Sequence, residues 1–290
     1  MERELWPLLY HAVKRVAEDF HQKYVSYQPW VLVLIILWAA LHDRPICWAC
    51  NPKNWQTTHL KPLRWPHPSV LSRRAYKVGV GLFWRALQQH LQQTAPAALL
   101  AYLDGKPLPI GGFSTDADAR WGRGAGGMAK GYKLHTLWSN RPLPEAWEVT
   151  PLNEAETQVA EQLFQQAPGA GYVLADGNYD SSKLFDQAQQ AGYQLVVPLP
   201  EANAGKGHHY QSPHRQRCIQ MMQGTFGPDL YALRGQIERT YGNATSFGGG
   251  LQPLPAWVRR LHRVRIWVWA KLLINAARII KNQGLMARLQ

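Results

Sequence analysis

At about residue 98 the hydrophobic pattern of this chain changes period, and that change limits the fold more than any other feature. Upstream the pattern is helical. Leu8, Leu9, Ala12, Val13, Val16, Ala17 and Phe20 fall at helical spacing within residues 1–26, and residues 29–41 are apolar throughout, as in a buried helix. Downstream, residues 98–103, 132–138, 145–150, 172–175 and 193–197 read as strands. Helical patterns cover 153–166, 181–190, 230–241 and 257–280. Three strands followed by alternating helices and strands imply a mixed α/β domain built on one dominant sheet. The expected organisation is an all-helical region over 1–95 and an α/β domain over 96–290.

The connecting segments carry their own signals. Residues 43–67, rich in Pro, Trp and Asn, read as an irregular connector. Pro68-Ser69 then opens a helical run with Ser69 as N-cap, continuing toward Leu91 or breaking near Gly79 and Gly81. Residues 111–131 read as a glycine-rich loop and 201–224 as a modest polar loop.

Three acids stand in distinctive settings. Asp104 lies in Ala-Tyr-Leu-Asp-Gly-Lys and Asp176 in Val-Leu-Ala-Asp-Gly-Asn-Tyr-Asp-Ser, each at the end of a predicted strand. Glu238 lies on a predicted helix, in Tyr-Ala-Leu-Arg-Gly-Gln-Ile-Glu. Two strand-end aspartates and a helical glutamate can converge from distant parts of the chain and offer the all-oxygen donor set that Mg²⁺ prefers. Tyr231, Arg234 and Glu238 are spaced i, i+3, i+7, so a continuous helix would place them on one face. Taken singly, each signal has an ordinary explanation: an Asp-Gly pair is usually a turn, and Arg234 with Glu238 can be a surface ion pair worth ~0.3–0.5 kcal/mol. The ordered set favours the catalytic explanation. Asp116 and Asp118 are expected to cap the glycine-rich loop, and Glu148 and Asp180 are weaker candidates.

Charge points to the partner. The chain has 32 Lys and Arg against 19 Asp and Glu, a net charge of +13. No acid follows Glu238, although that tail carries Arg239, Arg259, Arg260, Arg263, Arg265, Lys271, Arg278, Lys281 and Arg288. Residues 42–77 hold seven Lys and Arg against Asp43 alone. Two one-signed zones suit a polyanion. Ser72, Arg73 and Arg74 on the predicted 68–78 helix resemble a recognition helix that meets phosphates or base edges. Arg259 and Arg263 are candidate phosphate contacts on the last helix, whose apolar face is expected to pack on the sheet. Trp121, on the glycine-rich segment, is a candidate for stacking on an exposed base.

Other classes fit poorly. Cys47 and Cys50 form a C-x-x-C without a second pair, and neither His42 nor His59 stands at a standard zinc spacing, so no structural zinc is expected. The low, odd cysteine count suits a reducing compartment. The apolar run at 30–41 is too short for a membrane span, which needs ~20 residues, and no leader pattern opens the chain. A cytoplasmic, nucleoid-associated protein without a membrane partner is expected.

These residues resemble the DDE transposases of bacterial insertion sequences, which have a ribonuclease-H-like catalytic fold. The family's last motif, Y-x-x-R-x-x-x-E, reads here as Tyr231, Arg234 and Glu238, and its second aspartate is commonly followed by tyrosine and Asp-Ser, as in Asp176, Tyr179, Asp180 and Ser181. Residues 114–122 leading to 131–135 also look like the family's segment between its first two strands, and the resemblance covers about residues 98–280. It implies an α/β, ribonuclease-H-like mixed sheet flanked by helices and preceded by a small all-helical DNA-binding region. It also implies that Asp104, Asp176 and Glu238 hold two Mg²⁺ ions, with Mn²⁺ as a substitute, and that Arg234 and Tyr231 contact phosphate beside them. The implied activity is cleavage and strand transfer of double-stranded DNA at terminal inverted repeats and target sites, by a homodimer that pairs two ends. A transposase-derived protein that only binds DNA, or a nuclease of the same fold, are the alternatives. One departure is visible. The subgroup usually carries lysine after six residues beyond the glutamate, to grip a DNA-end phosphate; Thr245 stands there. The short span from Asp176 to Glu238 leaves no room for a large strand-rich insertion.

Overall fold

The structure is a computed structural model and describes residues 2–23, 25–96, 98–198, 210–251 and 253–285. In chain order its helices and strands are α1 (Glu2–Ala17), α2 (Pro29–Leu41), α3 (Ile46–Ala49), α4 (Pro68–Arg74), α5 (Val78–Gln92), β1 (Leu100–Pro109), β2 (Arg120–Gly124), β3 (Gly127–Trp138), β4 (Ala146–Pro151), α6 (Glu156–Gln166), β5 (Gly171–Leu174), α7 (Ser182–Gln190), β6 (Tyr193–Val196), α8 (Pro213–Gln223), α9 (Phe226–Tyr231), α10 (Gly235–Thr245) and α11 (Leu261–Asn282). Short 3-10 turns stand at Pro52–Trp55, Gly177–Tyr179 and Ala232–Arg234.

The chain divides into two compact units, Met1–Pro96 with Ala244–Gln290, and Ala97–Asn243. The first is helical. Helix α2 is sheathed by α1, α5 and α11, which explains why its sequence is apolar on every side. Trp6, Trp38 and Trp55 pack ring against ring, with Trp38 and Trp55 stacked at 4.5 Å. The Lys271 ammonium is fully buried, donating to the carbonyls of Ala40 (2.7 Å) and Gly249 (3.1 Å) and pairing with Asp43 at 2.5 Å. It closes the end of α2, where Asp43 takes a left-handed backbone (φ 51°). Helix α11 therefore packs on α1, α2 and α5, not on the sheet as its position in the sequence suggested. Ala244–Gln290 thus group with Met1–Pro96.

Several local expectations change here. His67, not Ser69, caps α4: its Nδ1 accepts from the Ser69 N–H. The 68–91 pattern breaks at residues 75–77, and α5 runs on through Gly79 and Gly81. Arg259 and Arg260 lie ahead of α11, and Arg259 donates to the carbonyls of Pro255 (2.7 Å) and Val258 (2.8 Å).

The second unit holds a mixed sheet in the order β2-β3-β1-β5-β6, with β4 also on β3. Strand β1 is antiparallel to β3 and parallel to β5, and β5 is parallel to β6. Strands β2 and β4 share one edge of β3, pairing with residues 127–131 and 132–137. Helices flank the sheet, with α6 on β3 and β4, and α7 and α8 on β6. This is the ribonuclease-H-like arrangement anticipated from the sequence, preceded by a helical N-terminal region. Three segments depart from expectation. The 111–131 stretch is a hairpin, β2 turning into β3 through Gly127 (φ 122°), a backbone that glycine tolerates. Part of the 201–224 stretch is α8; residues 201–209 lie outside the described residues. The predicted 230–241 helix is interrupted by the 3-10 turn Ala232–Arg234.

Candidate functional site

Strand register explains how two of the three acids meet. In the parallel β1–β5 pair, Tyr102 stands opposite Leu174. Two residues further along each chain come Asp104 and Asp176, level with one another and leaving the same face, because side chains alternate with period two. Asp104 lies inside β1, opposite Thr136 of β3, and is not at a strand end. The glycine after it is needed for space, not for a turn: a Cβ on Gly105 would stand 2.9 Å from the Lys133 side chain and 3.3 Å from Glu156 Oε1. Asp176 does form a turn. Its Oδ1 accepts from the Asn178 N–H at 2.9 Å and caps the Gly177–Tyr179 turn.

Glu238 arrives on α10, and two tyrosines fix that helix against the sheet. The Tyr241 hydroxyl donates to the Asp104 carbonyl at 3.0 Å and lies 2.7 Å from Thr136 Oγ1. The Tyr102 hydroxyl donates to Gln236 Oε1 at 2.6 Å. Ile237 and Tyr241 form the buried side of α10, leaving Glu238 exposed beside them. The helix persists through Gly242 and Asn243, so Thr245 lies on the same side of α10 as Glu238, seven residues on. Tyr231 closes α9, and the 3-10 turn separates it from Glu238, so the expected continuous face is broken.

The guanidinium of Arg234 joins the trio. Its nitrogens lie 3.7 Å from Asp104, 4.0 Å from Asp176 and 3.9 Å from Glu238. Burial pushes the Asp104 carboxyl up to about 6, against the pull of the Gly105 N–H and of Arg234, with Asp176 and Glu156 adding to the rise. The donor set is all carboxylate oxygen, which suits a hard divalent cation. Among the described residues, however, no group of three His, Cys, Asp or Glu is arranged to hold a metal ion. Arg234 lies among the carboxylates and supplies the positive charge there.

Among four neighbours of the trio, only Tyr179 belongs to a motif read from the sequence; Glu156, Arg215 and Tyr241 carry no motif signal. Glu156, at the start of α6, pairs with the buried Lys133 at 2.5 Å. The Tyr179 hydroxyl is buried without a partner, and burial, with Glu156, Asp104, Tyr241 and Asp176 around it, holds its proton far more tightly than usual. Arg215 of α8 grips Asp180 through two bonds of 2.6 and 2.7 Å and so anchors the turn that Asp176 opens. Tyr241, three residues beyond Glu238, reads in sequence as an ordinary core aromatic.

The remaining candidates lie elsewhere. Ser72, half-exposed, and Arg73 and Arg74 sit on α4, a helix of only seven residues, and the Arg73 Nε bonds back to the Ser69 carbonyl at 3.3 Å. Arg263, exposed near the start of α11, is in contact with the Tyr76 hydroxyl. Asp116 accepts the Tyr132 hydroxyl at 2.6 Å and the Asp118 N–H, as befits capping.

Residues 97–274 match the family described as "Transposase DDE domain". The chain belongs to that family. The match begins where the DDE domain's helical prelude ends and extends into α11. No curated protein sequence matches the chain. A cryo-EM structure of a piggyBac transposase synaptic complex with hairpin DNA is similar to it at 9% identity, with a TM-score of 0.43 over 100% of this chain and 77% of that one. No helix among the described residues of this DDE protein is long and apolar enough to cross a membrane.

Proposed function

We propose that this DDE protein is an insertion-sequence transposase that binds its element's terminal repeats, cuts DNA strands there and transfers them to a target. The observation that carries the reading is the gathering of Asp104, Asp176 and Glu238 within 4.0 Å of one guanidinium, from two adjacent strands and a pinned helix. Their proposed role is to hold Mg²⁺, or Mn²⁺ in its place. When bound, such an ion activates the attacking oxygen and stabilises the leaving 3′-oxygen of a phosphodiester.

The chain's own residues have separate tasks. Asp104, desolvated in mid-strand, is the least mobile of the three carboxylates. Arg234 offsets part of the trio's negative charge, and its guanidinium can also take a phosphate oxygen bidentately. Tyr231 stands beside it as a hydroxyl donor. Tyr241 and Tyr102 keep Glu238 at a fixed height above Asp104. The helical region with Ser72, Arg73, Arg74, Arg259 and Arg263 is assigned to duplex binding, which its net positive charge supports. A homodimer pairing two ends is part of the same reading.

One observation favours the binding-only alternative: Arg234 already fills the space among the carboxylates, and Thr245 stands where the subgroup carries lysine. A single experiment separates the two. Nicking of a labelled duplex containing the DNA that flanks the element is followed with Mg²⁺ or Mn²⁺, beside Asp176→Asn. Metal-dependent nicking by the wild type, lost in the variant while duplex binding persists, is expected. Equal nicking by both proteins would sink the site assignment, and binding without nicking in either would leave only the binding role.

A further inference from the structure

The β2–β3 hairpin has two unlike faces. Residues directly opposite in an antiparallel pair share a face, and successive residues alternate. The register pairs Trp121 with Lys130 and Arg123 with Met128, so these four share one face. The other face carries Gly122 with Ala129 and Gly124 with Gly127. At Gly122 that second face is pressed against the protein. A Cβ on Gly122 would stand 2.5 Å from the Leu152 carbonyl oxygen, so only glycine fits. The small residues press the ribbon down and leave the large ones outward. Trp121 is 55% exposed and Met128 70% exposed.

An outward face of this kind is costly to leave in water unless something covers it. Its chemistry selects the cover. Neither β2 nor β3 contains an acid, and Arg120, Arg123 and Lys130 stand along them. The nearest acids are committed elsewhere, with Asp116 buried against the Tyr132 hydroxyl. Lys130 donates to the Ser114 carbonyl at 2.6 Å, tying the ribbon to the loop that bears Phe113, itself wholly exposed. An exposed indole with Arg123 and Lys130 on its own face of the ribbon matches the recognition of single-stranded nucleic acid, in which bases stack on aromatic faces and cations follow the phosphates.

We propose that this ribbon face is a contact for unpaired DNA, with a base stacked on Trp121 and the adjoining phosphate held by Arg123. The inference rests on reading the chain as a DNA-processing transposase, and it adds where the single-stranded product or overhang lies. Trp121→Ala, Trp121→Phe and Arg123→Ala proteins are compared with wild type for binding a labelled oligo-dT of about 12 nucleotides and a blunt duplex. The expected result is that Trp121→Ala weakens oligo-dT binding about tenfold, Trp121→Phe restores most of it, and the duplex is held as before. Arg123→Ala should make the salt dependence of oligo-dT binding shallower, by about 0.7 in log–log slope. Oligo-dT binding indifferent to Trp121, alongside normal duplex binding, overturns the ribbon assignment alone. Wild-type protein that binds neither DNA overturns the parent reading as well.

Discussion

Tyr241→Phe removes a single oxygen, and the structure predicts what it should cost. The hydroxyl bonds the Asp104 carbonyl at 3.0 Å and Thr136 Oγ1 at 2.7 Å, both within the core of the α/β unit. The ring would keep its edge-on packing with Trp138 at 6.1 Å and the Lys106 ammonium 5.5 Å from its centre, so no cavity opens. What is lost is the partner of a buried carbonyl and of a buried hydroxyl, a penalty of about 1–3 kcal/mol. For a unit of this size that corresponds to about 2–12 °C in Tm. The bond also sets the height of α10, and with it Glu238, above Asp104. A shift of about 1 Å in a reacting group can cost on the order of a hundredfold in rate. Nicking should therefore fall at least tenfold, while duplex binding stays near wild type. Denaturant unfolding gives the first quantity, and single-turnover nicking at saturating Mg²⁺ the second. A variant equal to wild type in both would show that the hydroxyl is not the strut. Lost stability with full nicking would show that it stabilises the unit without positioning Glu238.

Two further outcomes follow from buried charge. His135 is 1% exposed, with Nε2 3.0 Å from Thr150 Oγ1, and burial, aided by the charge of Lys133, lowers its pKa from 6.5 to about 4. The folded protein keeps it neutral where the unfolded chain takes up a proton, so its contribution is complete above about pH 6.5 and is lost as pH falls toward 4. The loss amounts to about 3 kcal/mol. Unfolding curves measured across that range should steepen this way in wild type and flatten in His135→Gln; identical pH profiles would refute the assignment. Arg215→Gln removes the clamp on Asp180 and leaves that carboxylate nearly buried and unpaired, at a cost of about 3–5 kcal/mol. Nicking should fall with stability, and the double variant with Asp180→Asn should recover part of both, as a calorimetric double-mutant cycle would register.

Most of the sheet's strands were legible because they announce themselves. Tyr132 to Trp138 alternates, and residues 172–175 and 193–197 are short apolar runs with turn residues at their ends. The register that brings Asp104 level with Asp176 follows from those runs, but Asp104-Gly105 looked like a turn. In the structure the glycine is a gap cut for Lys133 and Glu156, a requirement set by residues far along the chain. The β2–β3 hairpin was hidden for a related reason. Gly122, Gly124 and Gly127 share one face of the ribbon, with Gly122 against Leu152, and in sequence they look like the glycines of a loop. Helix α11 was assigned to the sheet because it follows Glu238 in the chain. Its apolar stripe fits any apolar partner, and only tertiary packing shows that α1, α2 and α5 are the partners.

Arg234 is the residue on which the site's two states turn. Three carboxylates within 4.0 Å of one guanidinium repel one another, and Arg234 places a positive charge among them. A guanidinium serves this purpose at a distance of 3.7–4.0 Å, which is longer than a tight ion pair and therefore cheap to leave. The 3-10 turn that carries Arg234, between α9 and the start of α10 at Gly235, gives it a short lever independent of the helix that holds Glu238. On the proposed reading the carboxylates stay where Tyr241, Tyr102 and the sheet put them, and the arginine would yield its place to a divalent cation. The same movement would free it for a DNA phosphate, so that offsetting the carboxylate charge and gripping the substrate would fall to one side chain in turn.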